Sequence, residues 1–236
     1  MSNNFKVYIR KLVNKFSKYS IIYNNAFDLN KILGFYKINL VLDIGAYTGT
    51  YSLSLRRFGY KGKIISFEPI KNSHKKLLIN SSSDKNWIIY ERVALGNKQK
   101  YTNINISQRN DNSSILNVNK NHTKLVPESK YISKDKVKMI KLDRVIKDNL
   151  KKKNCLLKID TQGYEYEILL GAGKELKKVK LIQIELSLEE LYRGQANWEK
   201  NFKYLNKLGF KIWSIYPGFK NKKNGQLMQF DMILYR

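Results

Sequence analysis

A single cysteine, Cys155, stands among the 236 residues, so no internal disulfide can form. It opens the apolar run Cys155-Leu156-Leu157, where a small buried hydrophobe is expected rather than a nucleophile. Long apolar stretches are missing as well. The run from Ile38 to Ile44 is interrupted by Asn39 and Asp43 and falls far short of the roughly 20 residues that span a bilayer. No continuous apolar segment or small-residue cleavage site follows the positive N-terminal region, so a secretory signal is not expected. A reducing cytoplasm fits these absences. There is no long disordered tail and no internal repeat, and the chain is too short for two ordinary domains with a linker. One globular domain with a short extension is expected, its core filled from a composition that is 42% apolar and 12% aromatic.

Acidic residues are scarce, 19 against 45 Lys and Arg, which leaves a net charge of +26 and a pI near 9.9. Such an excess attracts nucleic acid and anionic membranes. Only eight of the 45 are Arg, however, and the lysines are scattered over the whole chain. Phosphate and base recognition leans on the planar, bidentate Arg fork. Together with abundant Asn, Ile and Tyr, this is the composition an AT-rich genome encodes, and compositional drift is the favoured reading of the charge.

Residues 5 to 19 place Phe5, Tyr8, Ile9, Leu12, Val13 and Phe16 at helical spacing, with Lys6, Arg10, Lys11, Lys15 and Lys18 between them. This predicts a basic amphipathic helix within an N-terminal helical extension, residues 1–37. Peripheral contact with an anionic membrane is one reading of its apolar stripe. Packing on the following domain, residues 38–236, is the preferred one.

From residue 39 short apolar runs alternate with helical patterns, which predicts βα units around a mainly parallel sheet. Strands are expected at Asn39 to Ile44, Lys63 to Phe67, Trp87 to Val93, Val137 to Leu142, Leu156 to Asp160 and Leu181 to Leu186. Helices are expected at Thr48 to Phe58, Asn72 to Asn80, from Asp143, at Tyr164 to Leu170 and around Trp198 to Leu208. Residues 97 to 136 are polar and Asn-rich, with one strand at Tyr101 to Ile106. Phe210 to Tyr216 and Gln229 to Tyr235, joined through Pro217, Gly218 and Gly225, read as a hairpin at the sheet edge.

The first strand ends in Val41-Leu42-Asp43-Ile44-Gly45-Ala46-Tyr47-Thr48-Gly49, and a helix follows directly. Gly45 permits a sharp turn, Gly49 permits close approach of backbone to a ligand, and a helix N-terminus suits a carboxylate. The dinucleotide fingerprint G-x-G-x-x-G is missing, because the glycines are spaced G-x-x-x-G. That disfavours a pyrophosphate. S-adenosylmethionine has none, but carries an ammonium to which Asp43 can offer negative charge. Glu68 ends the second strand, 23 positions after Gly45, where ribose hydroxyls are held in such folds. Arg92-Val93-Ala94-Leu95-Gly96 can border a flat adenine. In Leu156-Leu157-Lys158-Ile159-Asp160-Thr161-Gln162-Gly163-Tyr164-Glu165 another strand tip bears Asp160, which points into the crevice at the carboxyl ends of the strands.

Seven runs, in order, resemble FkbM methyltransferases: Leu42-Asp43-Ile44-Gly45-Ala46, Phe67-Glu68-Pro69, Val93-Ala94-Leu95-Gly96, Ser113-Ser114-Ile115-Leu116, Leu157 to Glu165, Ile182-Gln183-Ile184-Glu185, and Gln229 to Leu234. The similarity spans about residues 38 to 236. It implies a single Rossmann-like α/β domain with a seven-stranded, mainly parallel sheet and a C-terminal antiparallel hairpin. It also implies S-adenosylmethionine as methyl donor and a hydroxyl acceptor on a sugar, glycan or natural product. The matching positions for the cofactor are Asp43, Gly45, Ala46, Tyr47, Gly49, Thr50, Glu68, Pro69, Val93, Ala94 and Asp160, with no metal. Tyr47 stands where the family often has Asn, and Gln162 where it often has Glu.

An aliphatic hydroxyl must lose its proton during O-methylation, so a general base is needed. Glu185, at the end of the penultimate core strand, is the first choice; Asp160 is the second, and His74 and His122 follow. An ion pair with a lysine is the competing reading of Glu185. Ser114 and His122 are candidate acceptor contacts, although a solvated-loop histidine is the favoured reading of His122. The alternative class, an RNA or other nucleic-acid methyltransferase, is motivated by charge. It lacks the Asp/Asn-Pro-Pro-aromatic run at the fourth strand tip, and Glu185 occupies the place of a Lys in the ribose 2′-O tetrad.

Overall fold

The computed structural model describes residues 25–151 and 153–236. The amphipathic stripe from Phe5 to Phe16 lies outside them. Helix α1 (Asn25–Phe35) buries Leu29, Ile32 and Leu33 in the same apolar cluster as Val41, Leu55 and Ile64 of the following domain. No helix among the described residues is long and apolar enough to cross a membrane.

Strands β1 (Leu40–Ile44) and β7 (Cys155–Ile159) are buried at every position. Both faces of a parallel sheet are covered by helices, so such strands read as near-continuous apolar runs. The chain alternates β1, α2 (Thr50–Arg57), β2 (Lys63–Phe67), α3 (Lys71–Ser81) and β3 (Trp87–Ile89). It returns through α5 (Leu142–Asn149), β7, α6 (Glu165–Ala172), β8 (Leu181–Ser187), α7 (Trp198–Lys207), β9 (Lys211–Pro217) and β10 (Gln229–Tyr235). The seven-stranded order is β3-β2-β1-β7-β8-β10-β9, parallel except for β10, which is antiparallel to both neighbours. The expected hairpin is present, but β10 inserts between β8 and β9, leaving only β9 at the edge.

Two expectations are corrected between β3 and α5. The strand read as Trp87 to Val93 is two strands in two sheets: β3 ends at Ile89, and Val93–Gly96 forms β4. Arg92 marks the crossing, donating to the Pro69 carbonyl at 3.0 Å and pairing with Asp135 at 3.1 Å. The polar stretch 97 to 136 also holds more order than its composition predicts. Strand β5 (Lys100–Ser107) pairs antiparallel with β6 (Tyr131–Lys141), and β6 pairs parallel with β4 in a second, three-stranded sheet. Between β5 and β6 lies the short helix α4 (Lys120–Leu125). Only one face of this pair meets the core, through Ile104, Val137 and Met139. The other is open to water at Tyr101, Asn103, Lys134, Lys136 and Lys138, which explains its lysines, while Asn105 and Ser107 at its far end are buried.

Helix α6 packs so closely on the end of β4 that a Cβ at Gly171 would lie 1.9 Å from the Gly96 carbonyl oxygen. Gly171→Ala is therefore expected to lose about 1–3 kcal/mol of unfolding free energy in urea. Gly34→Ala is the control. Gly34 is exposed on α1 with nothing within 4 Å of an added Cβ, so this variant should be neutral or slightly more stable.

Candidate functional site

The site is built on the carboxyl ends of β1, β2, β7 and β8, and its foundation is a buried cation. Asp43 and Lys158 are the charged residues of β1 and β7, and the register sets them opposite each other. Lys158 Nζ lies 3.5 Å from Asp43 Oδ1, 3.3 Å from Asp160 Oδ2 and 3.4 Å from the Gly45 carbonyl oxygen. Asp43 Oδ2 accepts from the hydroxyls of Ser52 at 2.8 Å and Ser66 at 3.3 Å. Burial alone would push the Lys158 ammonium down, but Asp160 and Asp43 together hold it above its ordinary value. The charge therefore stays on.

Two turns rest on this base. After β1 the backbone takes the left-handed conformation at Gly45, Tyr47 and Gly49, and after β7 at Gln162 and Gly163. A Cβ on Gly45 would lie 1.8 Å from the Asp160 carbonyl oxygen, so only glycine lets the turns touch. Glu165 secures the second turn: its Oε1 accepts from the backbone N–H of Thr161 at 2.9 Å and of Gly163 at 3.1 Å. Burial raises this carboxyl to about 7.

Above the turns opens a cavity of about 450 Å³, within the range of small-molecule sites. Of the residues expected to meet a cofactor, Gly45, Tyr47, Glu68, Pro69, Val93, Ala94 and Asp160 line it. Glu68 is buried, and its two oxygens accept from the backbone N–H groups of Tyr47 and Ile70, each at 2.8 Å. Burial pushes its carboxyl up to about 8 against those two donors.

Asp43, Ala46, Gly49 and Thr50 are not among the residues that line the cavity. Asp43 is fully buried and already holds Lys158, Ser52 and Ser66. Space beside Gly49 is taken by Trp87 and Leu77 side chains, 2.5 and 2.8 Å from an added Cβ, so the turn and the packing both need glycine there. Thr50 is exposed at the start of α2.

Across the cavity stands Glu185, half-buried on β8. Among the described residues no lysine forms an ion pair with it. Instead Gln162 Nε2 and Gln229 Nε2 each donate to its Oε2 at 2.8 Å. Among the described residues nothing donates to Oε1. Burial, followed by the charges of Asp160, Asp231 and Glu165, holds this carboxyl well above the usual carboxylate range.

The insertion forms the outer wall. Ser114 donates to the Gln162 carbonyl at 2.7 Å and lines the cavity. His122 is not a solvated loop residue. It is 2% exposed between Tyr192 and Phe219, and neither ring nitrogen has a hydrogen-bond partner among the described residues. Burial pushes its imidazole down to about 4, so it is neutral. His74 lies off the cavity and bonds the Tyr90 carbonyl at 3.0 Å.

Sequence reasoning gave no role to Lys158, Gln229, Tyr192 or Phe219. Lys158 had a signal, a charge inside an apolar strand. Gln229 opens a strand that was legible, but its bond to Glu185 was not, and Tyr192 and Phe219 lie in connections that carry no local pattern.

A family model for the methyltransferase FkbM domain matches residues 43–212. The chain belongs to the FkbM methyltransferase family. S-adenosylmethionine is its methyl donor. The cavity of this FkbM methyltransferase fits that group: it offers carboxylates for hydroxyls and an ammonium, and an apolar slot at Val93, Ala94 and Leu95 for a flat ring. Among curated proteins, none matches the sequence. The solved structures it resembles include a Streptococcus pneumoniae protein in complex with S-adenosyl-L-methionine (10% identity, 91% of this chain, 73% of that one, TM-score 0.49). They also include an S-adenosylmethionine-dependent methyltransferase from Clostridium acetobutylicum (11% identity, 99% and 98% covered, TM-score 0.47). A third is a precorrin-6y C5,15-methyltransferase from Geobacter metallireducens (10% identity, 94% and 95% covered, TM-score 0.44). The family assignment rests on the sequence match.

Lys158→Met leaves Asp43 buried without its cation and is expected to cost about 3–5 kcal/mol of unfolding free energy at pH 7. Adding Asp43→Asn should recover part of that loss, since the fully buried charge is then gone and only the partly exposed Asp160 lacks its cation. If chemical denaturation shows no recovery, the lost lysine stem rather than the charge accounts for the cost.

Proposed function

We propose that this methyltransferase acts on a hydroxyl of a sugar, a glycan or a small natural product in the cytoplasm. Glu185 on the cavity wall, its Oε2 tied by two amides and its Oε1 without a donor among the described residues, carries this reading. The charge of the wall supports it. Glu68, Asp111, Glu128, Asp160 and Glu185 line the cavity against Arg109 and Lys222, in a chain whose net charge is +26. A polyol finds hydrogen-bonding carboxyl groups on such a wall, whereas a phosphate finds few cations.

When bound, S-adenosylmethionine supplies a methyl group on a sulfonium leaving group, so alignment and removal of one proton are what the protein must add. Glu68 would accept from the ribose hydroxyls on the lone pairs its two backbone donors leave. Asp160 would face the ammonium, and Val93, Ala94 and Leu95 would border the adenine between Tyr47 and Pro69. Glu185 Oε1 would take the acceptor's proton. Only the ionised form can do so, and its carboxyl is raised, so turnover should climb with pH through a value above the ordinary carboxylate range. Ser114 steadies the wall through the Gln162 carbonyl. His122, neutral and flanked by Phe219 and Tyr192, would lie against the acceptor.

The excess of lysine favours a second reading, a nucleic-acid acceptor, in which exposed lysines outside the cavity hold the phosphates. Titration with RNA at two salt concentrations separates the two. The glycan reading expects no steep salt-dependent binding.

Glu185→Gln is expected to lower turnover on a hydroxyl acceptor by about 10²–10⁴-fold. Affinity for S-adenosylmethionine, measured by calorimetry, should stay as in the parent. Unchanged turnover would remove Glu185 from the role of base.

A further inference from the structure

Gln162 stands in the left-handed region at φ 56° and lies within the cavity wall, a conformation that residues with a side chain seldom hold without compensation. The compensation is visible in its amide. Nε2 donates to Glu185 Oε2 at 2.8 Å and to Asp160 Oδ1 at 3.0 Å, using one hydrogen for each carboxylate. Oε1 accepts from the Tyr192 hydroxyl at 2.8 Å, which fixes which way the amide points. The backbone oxygen of the same residue accepts from Ser114 at 2.7 Å. The insertion and the loop after β8 therefore hold Gln162, and Gln162 holds two carboxylates.

We propose that Gln162 is the positioning residue of the site, keeping Glu185 with one oxygen tied and the other turned to the acceptor. This rests on the reading of Glu185 as the base. The consequence is electrostatic as well as geometric. Glu185 is faced by Asp160 after β7, Asp231 on β10 and Glu165 on α6, with Lys158 on β7 as the nearby cation and Tyr192 across the amide. Three like charges surround one carboxylate, and the amide hydrogens of Gln162 and Gln229 are what its ionised form gains in return. Gln229 alone would leave Asp160 unbridged. A carboxylate at position 162 would set a fourth like charge where a donor now stands.

The test is a ¹³C NMR titration of the Glu185 side-chain carboxyl in the full chain, which needs no acceptor. Gln162→Gly keeps the left-handed turn at no steric cost and removes the amide; Gln162→Glu keeps the shape and replaces a donor with an acid. Both should raise the Glu185 midpoint by about one pH unit or more, the larger shift in Gln162→Glu. Should Gln162→Glu fail to fold, Gln162→Gly carries the test alone. A midpoint within a few tenths of a unit of the parent in the glycine variant would falsify the proposal. The base reading is judged separately by Glu185→Gln turnover, so either idea can fall without the other.

Discussion

The ammonium of Lys158, buried between Asp43 and Asp160, is the interaction on which the rest of this site depends. An ion pair withdrawn from water is stable only when every charge finds partners, because desolvation costs several kcal/mol per ion. Here the partners come from four places: β1, the turn after it, the turn after β7, and the Ser52 and Ser66 hydroxyls. Satisfying one lysine therefore fixes the relative height of β1 and β7 and the approach of Gly45 to Asp160. A cavity floor of defined shape results, rather than a gap between strand ends.

The walls use the same logic with weaker charges. Glu68 is held by backbone N–H groups, which cannot move away, and so presents its remaining lone pairs in a set direction. Glu185 is held by side-chain amides on one oxygen only. One carboxyl thus has a donor on each oxygen, and the other has both of its donors on a single oxygen. Both sit in a wall richer in carboxylates than in cations, although the chain as a whole carries more than twice as many basic as acidic residues. Surface charge and site chemistry are thus separate properties of this protein.

Helices α2, α3, α6 and α7 and strands β1, β2, β7, β8 and β10 fall where apolar periodicity and the glycine turns put them, because buried parallel strands and amphipathic helices write their environment into local sequence. The second sheet was only half legible. Strand β5 was visible, but the early part of β6 was not, since one face of the pair is solvated and its Lys134, Lys136 and Lys138 give no apolar alternation a reader would trust. The split at Arg92 was hidden too, because nothing local distinguishes a strand that continues from one that changes sheets. His122 was misjudged for the same reason: polar neighbours in sequence gave no sign that Tyr192 and Phe219 would enclose it.

By itself the sequence determined the class of fold, the family and the strand tips that carry Gly45, Glu68, Asp160 and Glu185, since turns and buried strands depend on residues close together along the chain. Tertiary structure alone decided which of the candidates face the cavity. It turned Asp43 inward to Lys158, filled the space at Gly49 with Trp87, brought Gln162 and Gln229 to the Glu185 carboxyl from 23 and 44 residues away, and set Tyr192 behind Gln162. Those contacts arise only when β1, β7, β8 and β10 are laid side by side, and the register that does so is set by the packing of the whole sheet.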